Sequence, residues 1–435
     1  MLRAALLAAR PAPLVAARLR VEGETLAVAG VRHRLGRGRV LVLAVGKAAA
    51  AMARAAERAL GRHLDGGLAI DVSGRARPRR LPLLLAGHPV PDARGLRAAR
   101  AAAALARGLG QDDLLLVLLS GGASALLPAP AEGISLADKA RVTARLLAAG
   151  ASIDELNVVR KHLSRLKGGG LARLAAPARV VCLALSDVVG DDLATIGSGP
   201  THPDSSTFAE AIAILERRGG LELAPAAVRR HLEAGARGRR PETAKPGDAC
   251  FVRVRTRVIG SGKLSLAAAA REARRLGLRT VVLTARLSGE AREVAPALLA
   301  RLRRRLRFSR SSRPLCLLAS GETTVTVRGR GRGGRNQELA LAAVEPLARF
   351  PGPAVVATLA TDGRDGHSDG AGAVVDDTTL ARGRSRGLDE PAAALARNDS
   401  ARYLEAVGDQ VRTGPTGTNV ADIVALLAAH TRKPR

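Results

Sequence analysis

Four short, glycine-rich polar strings hold the residues best suited to chemistry in this chain. They are Ser120-Gly121-Gly122-Ala123-Ser124, Ser186-Asp187-Val188-Val189-Gly190-Asp191-Asp192, Ser320-Gly321-Glu322-Thr323-Thr324 and Gly333-Gly334-Arg335-Asn336-Gln337-Glu338. Small residues in the first let backbone amides turn toward an anion. The second places three carboxylates within six residues. Mg²⁺ takes one or two carboxylates plus phosphate oxygens and water, so Asp187 and Asp191 are its expected ligands. One carboxylate could instead accept a proton from a substrate hydroxyl, and Asp191 or Asp192 could cap a helix ahead of Leu193. Arginine and glycine alternate from Arg328 toward Arg335, and a helix-forming stretch follows at once. Such a segment reads as a phosphate-cradling loop rather than a disordered tail.

Further basic and polar groups join them. Gly46-Lys47 sits between an apolar run and an alanine-rich one, where a lysine can meet a phosphate and a helix start can add N–H donors. The spacing is not that of a Walker A loop. Nor does a Gly-x-Gly-x-x-Gly fingerprint follow any strand of the first half, which argues against nicotinamide chemistry. Arg160, Lys161 and Lys167 could clamp a carboxylate or phosphate, or form a solvated helix face. The strings from Thr361 to Gly366 and from Thr413 to Asn419 add hydroxyls, carboxylates and an amide.

The elements that must position these groups are legible from the apolar runs. Leu114–Leu119, Val180–Leu185 and Leu315–Ala319 read as buried parallel strands feeding loops. In open α/β sheets, ligands bind where strands end at their carboxyl edge. Further strands are expected at 39–45, 67–72, 83–87, 255–259, 280–283, 323–327 and 355–360. Helices are expected at 48–60, 95–109, 136–150 and 153–166. This alternation predicts an α/β fold. The Gly, Arg, Pro, Glu and Lys of residues 233–248 read as a linker, which gives an N-terminal domain over 1–240 and a C-terminal α/β region over 250–435.

The net charge of +30 invites a nucleic-acid reading, but Arg outnumbers Lys 62 to 7, and alanine, glycine and proline are abundant with it. Their shared GC-rich codons explain that pattern, and the aromatic residues that stack on bases are almost absent. No specific nucleic-acid partner is expected. Three unclustered cysteines argue against a disulfide framework or a zinc site and fit a reducing cytoplasm. No run approaches the length of a membrane span.

Taken in order, the strings resemble a known family. The run Leu156–Leu171, then Leu185–Asp192, Ser198–Thr201, Gly321–Val327, Gly333–Leu339, Thr361–Gly363 and Thr413–Asn419 are similar to the glycerate 2-kinases of bacteria and animals that carry a C-terminal MOFRL domain. The resemblance implies a Rossmann-like α/β domain and a MOFRL domain, with a cleft between them. It implies ATP-dependent phosphorylation of D-glycerate at the 2-hydroxyl, for which Mg²⁺ is the cofactor expected from the carboxylates. Lys47 and Arg335 match the family's active-site cations. From the residues themselves, Ser120, Gly121, Gly122, Ser124, Glu322, Gly333 and Gly334 are the expected nucleotide contacts, and Asp187 is the carboxylate expected to orient the substrate hydroxyl. Some relatives carry a hydroxypyruvate reductase label, so NAD(P)H-dependent reduction is the alternative activity, ahead of nucleic-acid binding.

Overall fold

The computed structural model describes residues 1–74, 76–309 and 311–429. They form two compact units. The first comprises Pro11–Ser186 and Asp191–Ile259; the second comprises Met1–Arg10, Asp187–Gly190 and the chain from Gly260 onward. The 233–248 stretch lies inside the first unit, joining helix Ala226–Ala236 to a strand of the same sheet. The change of unit comes after Ile259.

The first unit opens with an antiparallel meander of β1 (Leu19–Glu22), β2 (Thr25–Val28) and β3 (Val31–Arg34). Its main sheet contains β4 (Val40–Val45), β5 (Gly66–Asp71), β6 (Leu83–Leu85), β7 (Leu114–Leu119), β8 (Arg179–Leu185) and β9 (Val254–Gly260), in the order β6-β5-β4-β7-β8-β9. The pairs β4–β5, β5–β6, β4–β7 and β7–β8 are all parallel. Every residue of β4 and β7 is buried. A parallel strand covered on both faces has no solvent side to alternate toward, hence the unbroken apolar runs. Leu43, Leu116 and Leu118 are fully buried, and each such side chain contributes on the order of 2 kcal/mol. The order is that of doubly wound sheets, whose ligand crevice opens at the switch point, between β4 and β7.

Helices intervene along the chain between β7 and β8 and between β8 and β9. Helices Leu136–Ala148 and Ile153–His162 start from capping boxes, Ser135 with Asp138 and Ser152 with Glu155. Each box satisfies two orphan donors and sets where the helix begins. Leu146, Leu156, Val159, Phe208, Ile214 and Leu232 pack together and fix these helices.

The second unit is built on β10 (Arg279–Leu287), β11 (Leu315–Gly321), β12 (Ala354–Ala360), β13 (Gly372–Asp376), β14 (Gln410–Val411) and β15 (Asp422–Ala428). Their order is β10-β11-β15-β12-β13-β14. Only β10 and β11 pair in parallel; β15 lies antiparallel between β11 and β12. Helices Ala291–Arg307 and Arg335–Ala348 share one core with this sheet. Leu266, Ala269 and Ala273 of helix Gly262–Arg275 share another with Ala5 of helix Leu2–Ala8.

The strand expected over Thr323–Val327 is not formed. Thr324 makes a single bridge to Glu290, and the hydroxyls of Thr324 and Thr326 donate to the Glu290 carboxylate. Most of the stretch is exposed, and β-branched residues without a neighbouring strand to pack against do not make a sheet. Among the described residues, no helix is long and apolar enough to cross a membrane.

Candidate functional site

At the switch point of the first sheet, β4 ends in Gly46-Lys47 and β7 ends in Ser120. The two turns are tied together: Lys47 N donates to Gly121 O at 2.9 Å, and Ala48 N donates to Ser120 Oγ at 3.1 Å. A Cβ on Gly46 would lie 2.2 Å from Ser120 Oγ, so only glycine admits this approach. Lys47 is half-buried, with its Cγ beside Gly122. The expected donors at the start of helix Ala49–Leu60 are in use, because Ala48 N bonds Ser120 and Ala50 N bonds Asp71 at 2.9 Å. Burial raises the Asp71 carboxyl above its ordinary range, and its backbone N–H partners oppose the shift. Ser120 and Gly121 are buried and shape the turn, whereas Gly122 and Ser124 keep solvent-facing surface.

Beyond that turn a polar chain runs inward. Lys167 Nζ donates to Ser124 O at 2.8 Å and Ser124 Oγ at 2.7 Å. Ser124 Oγ lies 3.0 Å from Ser198 Oγ, which donates to Asn157 Oδ1 at 3.1 Å. Ser198 holds φ +63 between Gly197 and Gly199, both also left-handed. A serine seldom adopts that conformation, and such residues concentrate at functional sites. Lys161 is used differently: it pairs with the buried Asp204 at 3.2 Å.

In the second unit, strand register assembles the polar groups. Because β15 is antiparallel to its neighbours, Asp422 at its start lies opposite Gly321, the end of β11, and Ala360, the end of β12. Glu322 and Thr361 follow directly. Arg335, the first residue of its helix, donates from Nε to Asp422 Oδ2 at 2.5 Å and from Nη2 to Glu322 Oε1 at 2.9 Å. Burial disfavours its cation, but Asp422 and then Glu322 outweigh that and hold it protonated. Burial raises the Asp422 carboxyl, with Arg335 opposing. The helix start itself is filled. Asp365 accepts from Asn336 N at 3.0 Å and Gln337 N at 2.7 Å, and burial pushes its carboxyl up to about 7 despite those amides. The loop before Arg335 is pinned, with Arg328 N and Gly329 N donating to Asn398 Oδ1 and Arg332 N to Asp399 Oδ1. A Cβ on Gly334 would lie 2.4 Å from the Asp365 backbone, and one on Gly333 2.2 Å from Ser400 Oγ.

The acidic string divides. Asp187 belongs to the second unit, where Asn419 Nδ2 donates to its Oδ2 at 2.8 Å. Asp191 belongs to the first, with φ +58. Asp192 is the local cap, accepting from Ala194 N at 3.2 Å and the Thr195 hydroxyl at 2.5 Å. Sequence reasoning missed Asp422 and Asp365 as partners of the Arg335 helix start. A lone aspartate opening the apolar run 423–428 was the available signal for Asp422.

A doubly wound sheet with a lysine at its switch point, and a mixed sheet with an arginine held at its strand ends, place this chain among two-unit α/β proteins. A domain of unknown function (DUF4147) matches residues 1–233, and the MOFRL family matches 315–422. A glycerate 2-kinase of Pyrococcus horikoshii is 39% identical over 98% of this chain and 96% of its own length. A protein of Agrobacterium vitis named "Putative hydroxypyruvate reductase" is 43% identical over 90% of this chain and 87% of its own. The crystal structure of a glycerate kinase from Thermotoga maritima superimposes with a TM-score of 0.84 at 36% identity, covering 98% of this chain and 97% of that one. The chain belongs to the glycerate kinase family built from these two domains.

Proposed function

We propose that this protein transfers the γ-phosphoryl group of ATP to the 2-hydroxyl of D-glycerate, giving 2-phosphoglycerate and ADP. The observation that carries the reading is Lys47 at the switch point of a doubly wound sheet, beside a small-residue turn, in a chain whose relatives include named glycerate kinases. Phosphoryl transfer asks for positioning and charge neutralisation. Lys47 offers a cation to phosphate oxygens, and Gly122 and Ser124 offer the open part of the turn. Arg335, with its fork oriented by Asp422 and Glu322, stabilises charge on the transferred group. Gly333 and Gly334 allow the close packing that sets Arg335 in place. The substrate hydroxyl oxygen bonds to the γ-phosphorus as the bond to the β–γ bridging oxygen breaks, and Asp187 accepts the hydroxyl proton.

The donor set fits Mg²⁺, since carboxylate oxygens are the hard ligands it prefers. Among the described residues, no group of three or more His, Cys, Asp and Glu could hold a metal alone. An ion arriving with the nucleotide would take Asp191 as its protein carboxylate, since Asp187, held by Asn419, takes the hydroxyl proton. When bound it supplies charge neutralisation on the phosphates.

The test is to incubate the protein with ATP, Mg²⁺ and D-glycerate and locate the phosphate by NMR. Phosphorylation at the 2-position with release of ADP is expected. Consumption of NADH or NADPH with hydroxypyruvate, and no ADP, would replace this reading with the reductase one. The turn after β4 lacks the Gly-x-Gly-x-x-Gly fingerprint that reading calls for.

A further inference from the structure

Three cations of the first unit are not used by that reaction. Lys139 lies on helix Leu136–Ala148, Arg160 on helix Ile153–His162, and Lys167 in the loop beyond it. Lys139 and Lys167 are 7% and 3% exposed, and Arg160 is half-buried. An ammonium carries three N–H donors and a guanidinium five. Lys139 uses one, on Pro128 O at 2.6 Å, and Lys167 uses two, both on Ser124. Among the described residues, Arg160 has no side-chain hydrogen bond, and no carboxylate pairs with any of the three. Of the acids on the same helices, Asp138 is taken by Ser135 and Arg141 and Glu155 by Arg218, and Asp154 is exposed in the first turn, two turns from Arg160.

Hydrogen bonds bring the three together: the chain from Lys167 through Ser124 and Ser198 ends on Asn157, one turn before Arg160 on the same helix, and Pro128 O accepts from both Lys139 Nζ and Ser164 Oγ, the hydroxyl that also accepts from Lys167 N. Burial, then the charge of Arg160, takes Lys139 down to about 7. Burial, then Lys139 and Arg160, takes Lys167 well below its usual range. Buried charge of one sign without a partner is strongly unfavourable, and a bound anion relieves it. The Lys167–Ser124–Ser198–Asn157 chain joins this cluster to the turn that packs on Lys47.

We propose that Arg160, Lys167 and Lys139 form the seat for a small oxyanion, and that in the reaction proposed above, on which this assignment rests, the oxyanion is the carboxylate of the hydroxy-acid acceptor. The unpartnered guanidinium supplies the planar fork that binds a carboxylate through two parallel hydrogen bonds. Lys167 orients Ser124 and adds charge; Lys139 adds charge from behind. Polyols of the same chain length, which have no carboxylate, then lack the anchor.

The test is thermal unfolding of the wild type and Arg160→Gln with D-glycerate, glycerol, inorganic phosphate or ATP added singly, together with KM for both substrates. D-Glycerate should raise the wild-type Tm, glycerol should not, and Arg160→Gln should lose the shift. In Arg160→Gln, KM for glycerate should rise about tenfold to a hundredfold, the loss of a charge-assisted bidentate contact, while KM for ATP stays within about twofold. Without ligand the variant should melt no lower than wild type, since it removes an unpartnered charge. Lys139→Met gives a second variant, in which the glycerate shift should shrink. An unchanged glycerate shift and KM in Arg160→Gln would overturn the proposal, as would a variant-sensitive shift with phosphate or ATP but none with glycerate. If the wild type releases no ADP yet its glycerate shift is lost in Arg160→Gln, the carboxylate seat stands and the kinase reading falls.

Discussion

The two units hold their cations in opposite ways. In the doubly wound unit, Lys139, Arg160 and Lys167 crowd together without a carboxylate. In the mixed-sheet unit, Arg335 stands among Asp422, Glu322 and Asp365. The first arrangement leaves its cations without a counter-charge, and burial presses the two lysines toward the neutral form unless an anion joins them. The second is neutralised internally, and its carboxylates hold the guanidinium plane in one orientation. A buried charge can therefore serve as a receptor or as a fixed tool, and the sign of its neighbours decides which.

Four outcomes break or sharpen that contrast. The largest effect should come from Lys47→Ala, which removes a rim cation and little core. Formation of 2-phosphoglycerate should fall about a thousandfold, on the scale of a strong electrostatic contact to the transferring group, with the circular dichroism spectrum unchanged. Wild-type turnover would move the reacting phosphates away from the switch point. Next is Arg335→Lys, where a point charge cannot match the two-carboxylate hold. Its kcat should drop about a hundredfold, and near-normal kcat in a folded variant would show that the fork has no part in transfer.

Asp422→Asn should then lower the urea unfolding free energy by about 1–3 kcal/mol, less than a fully buried pair because Arg335 keeps Glu322 and some solvent. No loss would mean that the second unit does not depend on its carboxylates. The smallest effect is in pH dependence, where the two units should slope in opposite directions. Asp365 is raised from its ordinary 3.8 to about 7. The folded state keeps a proton the unfolded chain releases, so this stabilisation is full below 3.8 and is lost as pH rises to about 7. Lys139 is lowered from 10.5 to about 7. Its contribution is full above 10.5 and is lost as pH falls to about 7. Subtracting Asp365→Asn and Lys139→Met from wild type, at pH 5 to 7 and 7 to 9 respectively, should give slopes of opposite sign. A flat difference in either would remove that group from the balance.

The strands that carry the switch point were open to reading because continuous Val and Leu runs have few other uses: β7 matches its expected bounds, and β4 and β8 match within one residue. The antiparallel meander at 19–34 was not read, since its strands are short and mix arginine with apolar residues. The Thr323–Val327 run shows the converse: local alternation promised a strand where no partner edge exists. Glycine spacing marked Lys47, the Ser120 turn and Arg335, because backbone that must pass close to another chain segment tolerates no Cβ, and that constraint is written locally.

Burial and partnership are not local. By itself the sequence determined the α/β class, the polar strings and the residues able to carry charge, since periodicity and residue type are properties of neighbouring positions. Only the tertiary structure decided that β15 enters antiparallel and so delivers Asp422 to Arg335. It likewise decided that Asp365 fills the helix start expected to face an anion, and that Lys139 stands with Arg160 and Lys167. Those pairings join residues from about twenty to nearly ninety positions apart, and what a charge meets across that distance is set by how the sheets and helices pack.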